Sequence, residues 1–266
     1  MKQTTVTVAS LNIRGVPVTG SRLTARCEAI GAFFEASDAD VVCFQEVCTY
    51  YHLRQLARRM RSFRQVSFRR TLPGPAGDVA TFSRLPVSAT AYQGFGALPA
   101  TPGIGPPIRL RARLKGALVT RLARPGLTVI NTHPLANTDG DWSPANRFSP
   151  VHRAQLVALG RVATSAPAPA VVCGDFNVDR DTALFSQFIA DTGLEDAFAG
   201  SCPPTFRAEY LPAGARPHCI DFILTAGEIK AEAAEVLFTG QQMLRGGAGY
   251  VSDHVGLLAR LHLPGA

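Results

Sequence analysis

The 266 residues carry 27 Lys and Arg against 20 Asp and Glu, a net charge of +7, with 46% hydrophobic and 18% charged side chains. That balance excludes a disordered or fibrous chain and leaves a globular one able to bury a sizeable core. No run reaches the roughly 18 apolar residues that a membrane span needs, and the basic excess favours phosphates, nucleic acid or an anionic membrane surface without choosing among them.

Lys2 and Gln3 lead into the polar alternation Thr4 to Ser10 without an apolar h-region. A signal peptide is therefore not expected, and the chain is placed in the cytoplasm, or outside the cell where a leader has been removed. Val6 to Ile13 reads as a strand, and Arg22 to Ala36 as an amphipathic helix with Leu23, Cys27, Ile30, Phe33 and Phe34 along one face. Asp40 introduces the apolar run Val41 to Phe44, a buried strand that delivers Gln45 and Glu46 at its end. A helix over His52 to Met60 precedes strands near Phe63 to Phe68, Val79 to Ser83 and Val87 to Tyr92. Gly94 to Pro107, rich in Gly and Pro, reads as a loop exposing Phe95, Leu98 and Ile104.

Strands resume at Leu110 to Leu122, where Arg109, Arg111, Arg113 and Lys115 alternate with Leu110, Ala112 and Leu114 as one solvated face, and at Leu127 to Thr132. An irregular segment, Pro134 to Pro150, separates these from a helix over Val151 to Thr164. Ala170 to Cys173 is a buried strand ending in Gly174-Asp175-Phe176-Asn177, followed by a helix around Thr182 to Asp191. Ile220 to Thr225, Ala233 to Phe238 and Val255 to Leu263 complete the strands. Strands with interspersed helices, no unbroken βα alternation and no internal repeat point to a mixed α/β sandwich, with residues 1–266 forming a single catalytic domain.

Cys27, Cys43, Cys48, Cys173, Cys202 and Cys219 make neither a CxxC pair nor a Cys/His zinc spacing and read as buried small hydrophobes. Whether Cys202 and Cys219, which flank a Pro-rich loop, pair is open at this level.

Polar residues follow apolar strands repeatedly: Asn12, Glu46, His133, Asp175 with Asn177, Asp221, then Asp253 and His254. A lone Asp there is most simply a helix cap or a turn residue. A series of them assembles acids, amides and imidazoles along one sandwich edge. Asn12 in Leu-Asn-Ile-Arg-Gly, Gln45-Glu46, Thr132-His133, Gly174-Asp175-Phe176-Asn177, Ile220-Asp221-Phe222 and Ser252-Asp253-His254 resemble, in order, the motif series of the endonuclease/exonuclease/phosphatase superfamily. A narrower likeness to the neutral sphingomyelinases rests on Asn12 to Pro17 with Arg22 and Arg26, on His52-Leu53-Arg54-Gln55-Leu56, on Phe82 to Val87, and on Gly193 to Ala197. The resemblance implies a four-layer α/β/β/α sandwich, deoxyribonuclease I-like, with its site at the loop edge of two packed sheets.

A phosphodiester resists attack because its own charge repels the nucleophile, so its hydrolysis needs charge neutralisation together with deprotonation of a water. Hard divalent cations and carboxylates meet both needs, and magnesium is the expected ion, with manganese or calcium as substitutes. Glu46 is the principal metal ligand expected, Asn12 supports metal or phosphate, and Asp253 is a second ligand. Asp175 orients or deprotonates the attacking water, and Asn177 holds a phosphate oxygen. His254 and His133 donate to phosphoryl oxygens, and Asp221 fixes the tautomer of His254 and raises its pKa. Asn12, Asn177, His133 and Asn137 make the substrate-contacting set; His152 and His218 are weaker candidates.

Several repair endonucleases of the superfamily carry Asp two residues after the first-strand Asn, where this chain has Arg14. That departure favours one dominant metal. The leading substrate is a phospholipid headgroup ester at a membrane surface, cleaved as by a sphingomyelinase. The alternative is a nuclease or phosphatase acting on nucleic acid, nucleotide, inositol phosphate or another soluble ester, and a monomeric catalyst is preferred over a non-catalytic binding protein of the same fold.

Overall fold

The computed structural model describes residues 4–16, 20–96 and 98–264; Lys2, Gln3, Pro17 and Ala97 of the 94–107 segment lie outside the described residues. In chain order the elements are β1 (Thr4–Asn12), α1 (Leu23–Ala36), β2 (Val41–Gln45), α2 (Tyr50–Arg59), β3 (Gln65–Ser67), β4 (Ala80–Ser83), β5 (Val87–Gly94), α3 (Pro106–Leu114), β6 (Gly116–Leu122) and β7 (Thr128–Thr132). They continue with α4 (Ser149–Ser165), β8 (Ala170–Asp175), α5 (Ala183–Thr192), β9 (Glu195–Asp196), β10 (Asp221–Ala226), β11 (Lys230–Leu237), β12 (Gln242–Leu244), β13 (Gly247–Gly249) and β14 (Gly256–Leu263). One six-stranded sheet runs β11-β14-β1-β2-β4-β3, a second runs β5-β6-β7-β8-β10-β9, and β12 and β13 form a separate ribbon.

The two sheets pack face to face with helices outside, giving the α/β/β/α order. Period-two alternation decides which side chain enters which layer. In β1, Ala9 and Leu11 join a cluster with Cys27, Ile30 and Phe34 of α1 and Leu53 and Leu56 of α2. Val6 and Val8 point the other way, into the layer shared with Val129, Val171 and Cys173 of the second sheet. The outer face of that second sheet is covered by Leu156 and Leu159 of α4 and by Phe185 and Phe188 of α5, with Phe222 stacked on Phe185 at 4.1 Å between ring centroids.

Followed along the strands, the inter-sheet layer changes from apolar to polar. Val6 and Val8 give way to Ser10 and Asn12, Val41 and Cys43 to Gln45, Val129 to Asn131, and Val171 and Cys173 to Asp175. At the transition a buried amide network joins the sheets: Gln45 Nε2 donates to Asn131 Oδ1 at 2.8 Å, and Asn131 Nδ2 donates to the carbonyls of Phe44 and Ala80. Burial of these amides is tolerated because their Nδ2 and Nε2 donors and the Asn131 oxygen are hydrogen-bonded, although Gln45 Oε1 is buried without a partner.

Two expectations are corrected. Residues 110–114, read as the start of a strand, belong to the helix α3, which also takes in Pro106 and Pro107 from the segment read as a loop. Pro106 and Pro107 fit the first helical turn, where no backbone donor is needed, and Ile108 and Ala112, four residues apart, supply its attached face. The alternating arginines therefore mimicked a strand period without forming one. Between β5 and α3, residues 95, 96 and 98–105 form no helix or strand, as read, but Phe95 and Ile104 are only 7% and 5% exposed, because they plug the core rather than face outward. The six cysteines carry free thiols, and Cys202 and Cys219 lie close enough for their side chains to hydrogen-bond.

Replacing Asn131 with Ala removes one bond of Gln45 Nε2, which keeps Ser10 Oγ and the Cys43 carbonyl, and takes a side-chain donor from the Phe44 and Ala80 carbonyls in a dry layer. Unfolding in urea should show a loss of about 1–3 kcal/mol, as expected when buried hydrogen bonds are removed; a loss below about 0.5 kcal/mol would remove the network from the account of stability.

Candidate active site

The site grows out of strand ends held by unusual backbone. Glu46, immediately after β2, has φ 57°, and Asn177, two residues after β8, has φ 52°, both in the left-handed region that costs a non-glycine residue energy. Two glycines make the close approaches possible. A Cβ on Gly15 would collide with the Glu46 carbonyl oxygen, and Gly174, at φ 145°, lets β8 pass against Thr132, whose carbonyl a Cβ would strike.

Two buried guanidinium groups fasten the loops. Arg26 donates to the carbonyls of Ser21, Ile13, Arg14 and Val251, and Arg207 to those of Ser252, Thr239 and Phe238. Ser252 Oγ then donates to the Asn12 carbonyl at 2.6 Å, tying the loop before β14 to the end of β1.

On this frame the side chains converge. Asn12 Nδ2 donates to Asp175 Oδ2 at 2.9 Å and to Glu46 Oε1 at 3.3 Å, while its Oδ1 accepts from the Arg14 amide. Asp175 Oδ1 accepts from the Asn177 amide at 2.9 Å, and Asn177 Nδ2 donates to the Pro134 carbonyl. Asp221, opposite Asp175 in the antiparallel β8–β10 register, meets His254 Nδ1 at 2.8 Å. The Nε2 atoms of His254 and His133 each lie 3.7 Å from the same Asp175 Oδ2. Asp253 sits between Arg14, at 3.3 Å, and the His254 ring, at 3.9 Å.

The electrostatics follow from burial and neighbours. Burial raises the Asp175 carboxyl, helped by Asp221 and opposed by His254, Asn12 and the Asn177 amide, to about 7. Burial alone would lower His254, yet the carboxylates of Asp221, Asp175 and Asp253 outweigh it and lift the imidazole to about 10. The ring is cationic at neutral pH. Burial also raises the Glu46 carboxyl, with Asp253 adding to the effect and His254 and the Asn12 and Val16 hydrogen bonds opposing it. Burial, with Lys115 and His254 nearby, holds His133 well below its ordinary value, so that ring is neutral.

Lys115 and Asp78 belong to the site although the strand-end reading passed over them. Lys115 Nζ meets Asp78 Oδ2 at 2.9 Å and His133 Nδ1 at 3.0 Å. An ammonium has no lone pair and must donate, so His133 Nδ1 accepts and the single ring proton sits on Nε2, facing Asp175. The missed signal is topological. β4 and β6 run antiparallel to β2 and β7, so residues preceding them, Asp78 and Lys115, reach the same edge as Glu46 and His133, which follow β2 and β7. Beside this group a cleft of about 360 Å³ is lined by Val16, Glu46, Asp78, Lys115, His133 and Leu135.

Of the sequence candidates, Asn12, Glu46, His133, Asp175, Asn177, Asp221, Asp253 and His254 come together. Asn137 spends both ends of its amide on Asp141 and Asp139 within an exposed turn. His152 is buried against the Leu135 carbonyl at 2.7 Å, and His218 pairs with Asp179 at 2.9 Å under Trp142.

For cation binding, the donor set near Glu46 fits a hard divalent ion: its carboxylate accepts only two long bonds, each 3.3 Å, and stands in the field of Asp253. Asp175, Asp221 and His254 also offer potential ligand atoms within 4.8 Å of one another, and Asp221 Oδ1 is buried without a partner. In that trio Asp221 takes His254 Nδ1 and leaves Nε2 facing Asp175, an arrangement that suits acid–base work.

Comparison with known proteins agrees with this geometry. The family described as Endonuclease/Exonuclease/phosphatase family matches residues 9–254. Among solved structures, SmcL is similar with 16% identity over 98% of this chain and 99% of its own, at a TM-score of 0.73. A mutant of beta toxin from Staphylococcus aureus with bound magnesium ions is similar with 16% identity over 98% and 100%, at 0.70. D. rerio TDP2 complexed with single strand DNA product is similar with 17% identity over 97% and 98%, at 0.71. The fold is thereby shown to be shared. Comparison with curated proteins returns no match.

Two outcomes are expected. In nitrogen-detected NMR of histidine-labelled protein, His133 should carry its proton on Nε2, and Lys115→Met should let the Nδ1–H form appear; an Nδ1–H ring in the unaltered protein would contradict the lysine contact. His152, lowered by burial from 6.5 to about 4, stays neutral in the fold while the unfolded chain takes up a proton. Its contribution is complete above pH 6.5 and is lost as pH falls toward 4, by up to about 3 kcal/mol. Urea midpoints should decline less over that window in His152→Gln; equal slopes would exclude His152 as a source.

Proposed function

The chain belongs to the endonuclease/exonuclease/phosphatase family, and on that premise we propose that its 266 residues act as one catalytic domain, a divalent-metal-dependent phosphodiesterase that hydrolyses its ester by water attack. The observation that carries this reading is the convergence of two imidazole Nε2 atoms, one neutral and one cationic, each 3.7 Å from one carboxylate oxygen of Asp175. That convergence supports a proton acceptor flanked by two donors, with His133 also lining the cleft beside Glu46.

Asp175, near 7, is poised to take the proton of an attacking water at neutral pH. The cationic His254, the Nε2–H of His133 and the second Nδ2 hydrogen of the Asn177 side chain would donate to phosphoryl oxygens as their charge grows. Asp221 keeps His254 charged and oriented, and Lys115 does the same for the tautomer of His133. Glu46, with Asn12 beside it and Asp253 as a flanking carboxylate, is the residue that would hold magnesium, or manganese or calcium in its place. A bound ion supplies Lewis-acid neutralisation of the phosphate. The Arg14–Asp253 pair supports one dominant cation position at Glu46, because Arg14 already balances part of the second carboxylate.

For substrate, the resemblance to neutral sphingomyelinases in the scaffold motifs favours a phospholipid headgroup ester. A nuclease or soluble-phosphatase reading is kept because a structure of the same fold, TDP2, is complexed with single strand DNA product. A panel of sphingomyelin, phosphatidylcholine, plasmid DNA, inositol phosphates and bis-nitrophenyl phosphate, with magnesium and EDTA arms, separates them. EDTA should abolish turnover, and Asp175→Asn should lower kcat about a thousandfold or more. Turnover that survives EDTA would remove the metal assignment, and an unchanged Asp175→Asn rate would remove the mechanism. DNA cleavage with steep salt dependence and no headgroup release would transfer the assignment to the nuclease reading.

A further inference from the structure

Helix α3 is attached to the protein by a single narrow face. Ile108 is half-buried and Ala112 fully buried, while Pro106, Pro107, Arg109, Leu110, Arg111, Arg113 and Leu114 are all exposed. At about 100° of rotation per residue, Leu110 and Leu114 stand opposite the attached pair, with the two prolines beside them. Arg109 and Arg113 then fall on one flank of this apolar ridge and Arg111 on the other. Leu110 and Leu114 are each 61% exposed, a large aliphatic surface for a nine-residue helix.

The three arginines form no ion pair among the described residues. Arg109 and Arg113, four apart, repel each other along the helix. The helix is nonetheless held firmly: Tyr92 Oη donates to the Leu114 carbonyl at 2.7 Å and Gln155 Nε2 to that of Ala112 at 3.1 Å. One side of the helix, from the half-buried Ile108 through Arg111 to Leu114 on the ridge, lines the same cleft as Glu46 and His133, and the half-exposed Val16 lines it too.

We propose that α3 is an interfacial anchor that lies in an anionic lipid surface, leucines down and arginines at headgroup level, and so seats the mouth of the catalytic cleft on the membrane. An aliphatic ridge flanked by cationic side chains matches the layered polarity of such a surface. A nucleic acid would be met best by cations at the centre and aromatic rings for its bases, and this face offers neither. A second copy of the chain would bring arginines against arginines. Binding follows from the surface chemistry alone; that the same surface supplies substrate rests on the phospholipid reading above.

The whole protein in EDTA is floated with vesicles of phosphatidylcholine alone or mixed with phosphatidylglycerol. It should rise with the mixed vesicles, detach as salt is added, and stay behind with phosphatidylcholine alone. Leu110→Ser, outside the cleft lining, should lower the bound fraction about fivefold or more. Joint exchange of Arg109 and Arg113 for Ser should weaken it comparably. Val157→Ser, which removes an exposed side chain on α4, should not, and all variants should share the unaltered melting temperature. Failure to rise with anionic vesicles, binding indifferent to Leu110, or capture by DNA that needs the arginines but not Leu110 would each overturn the anchor. Headgroup release is scored separately in magnesium. Vesicle binding without release sinks the lipid reading and leaves the anchor; release without dependence on Leu110 does the reverse.

Discussion

The Asn12 amide donates at once to Glu46 of one sheet and Asp175 of the other, and the arrangement of the polar edge of the sandwich depends on that shared bond. Four carboxylates, Glu46, Asp175, Asp221 and Asp253, gather at the end of the sandwich, and most of their surface is withdrawn from water. Unpaired, such charges would open the edge, because desolvation of an isolated carboxylate costs several kcal/mol. Each is instead met by a specific donor: Asn12 for Glu46 and Asp175, His254 for Asp221, Arg14 for Asp253. The perturbed acid and base that suit phosphoester chemistry are consequences of this crowding rather than separate devices.

The sandwich provides for the crowding by grading its interior. The inter-sheet layer is apolar along most of its length, passes through the Gln45–Asn131 amide network, and ends in the ionisable cluster. One period-two register carries each strand through all three zones. The loops beyond are then fixed by Arg26 and Arg207, whose guanidinium groups take up carbonyls that irregular backbone would otherwise leave unpaired. Positive φ at Glu46 and Asn177 is sustained by that surrounding support, as backbone strain at functional positions requires.

Chemistry and recognition occupy different parts of the fold. The acids and imidazoles sit on rigid strand ends, whereas the cleft walls come from α3 and from the segment after β7 that His152 and Gln155 of α4 hold by backbone bonds to Leu135. A wall built on a helix held through one narrow face can vary in its exposed side chains without disturbing the cluster at the strand ends.

The sequence alone determined the strands that bear Asn12, Glu46, His133 and Asp175, because a buried strand reads as an apolar run and its first polar residue marks where the layer ends. It determined the α/β class and the order of the motifs for the same reason. Tertiary structure decided what pairing direction controls. Asp78 and Lys115 precede their strands, and only the antiparallel pairing of β4 with β2 and of β6 with β7 brings them to the site. It also decided that Arg109 to Leu114 wind into a helix, since a six-residue alternation of basic and apolar side chains satisfies a period of two as well as a helical face, and local pattern cannot choose between them. Attachment through Ile108 and Ala112 makes that choice, and with it the side chains that α3 contributes to the cleft wall.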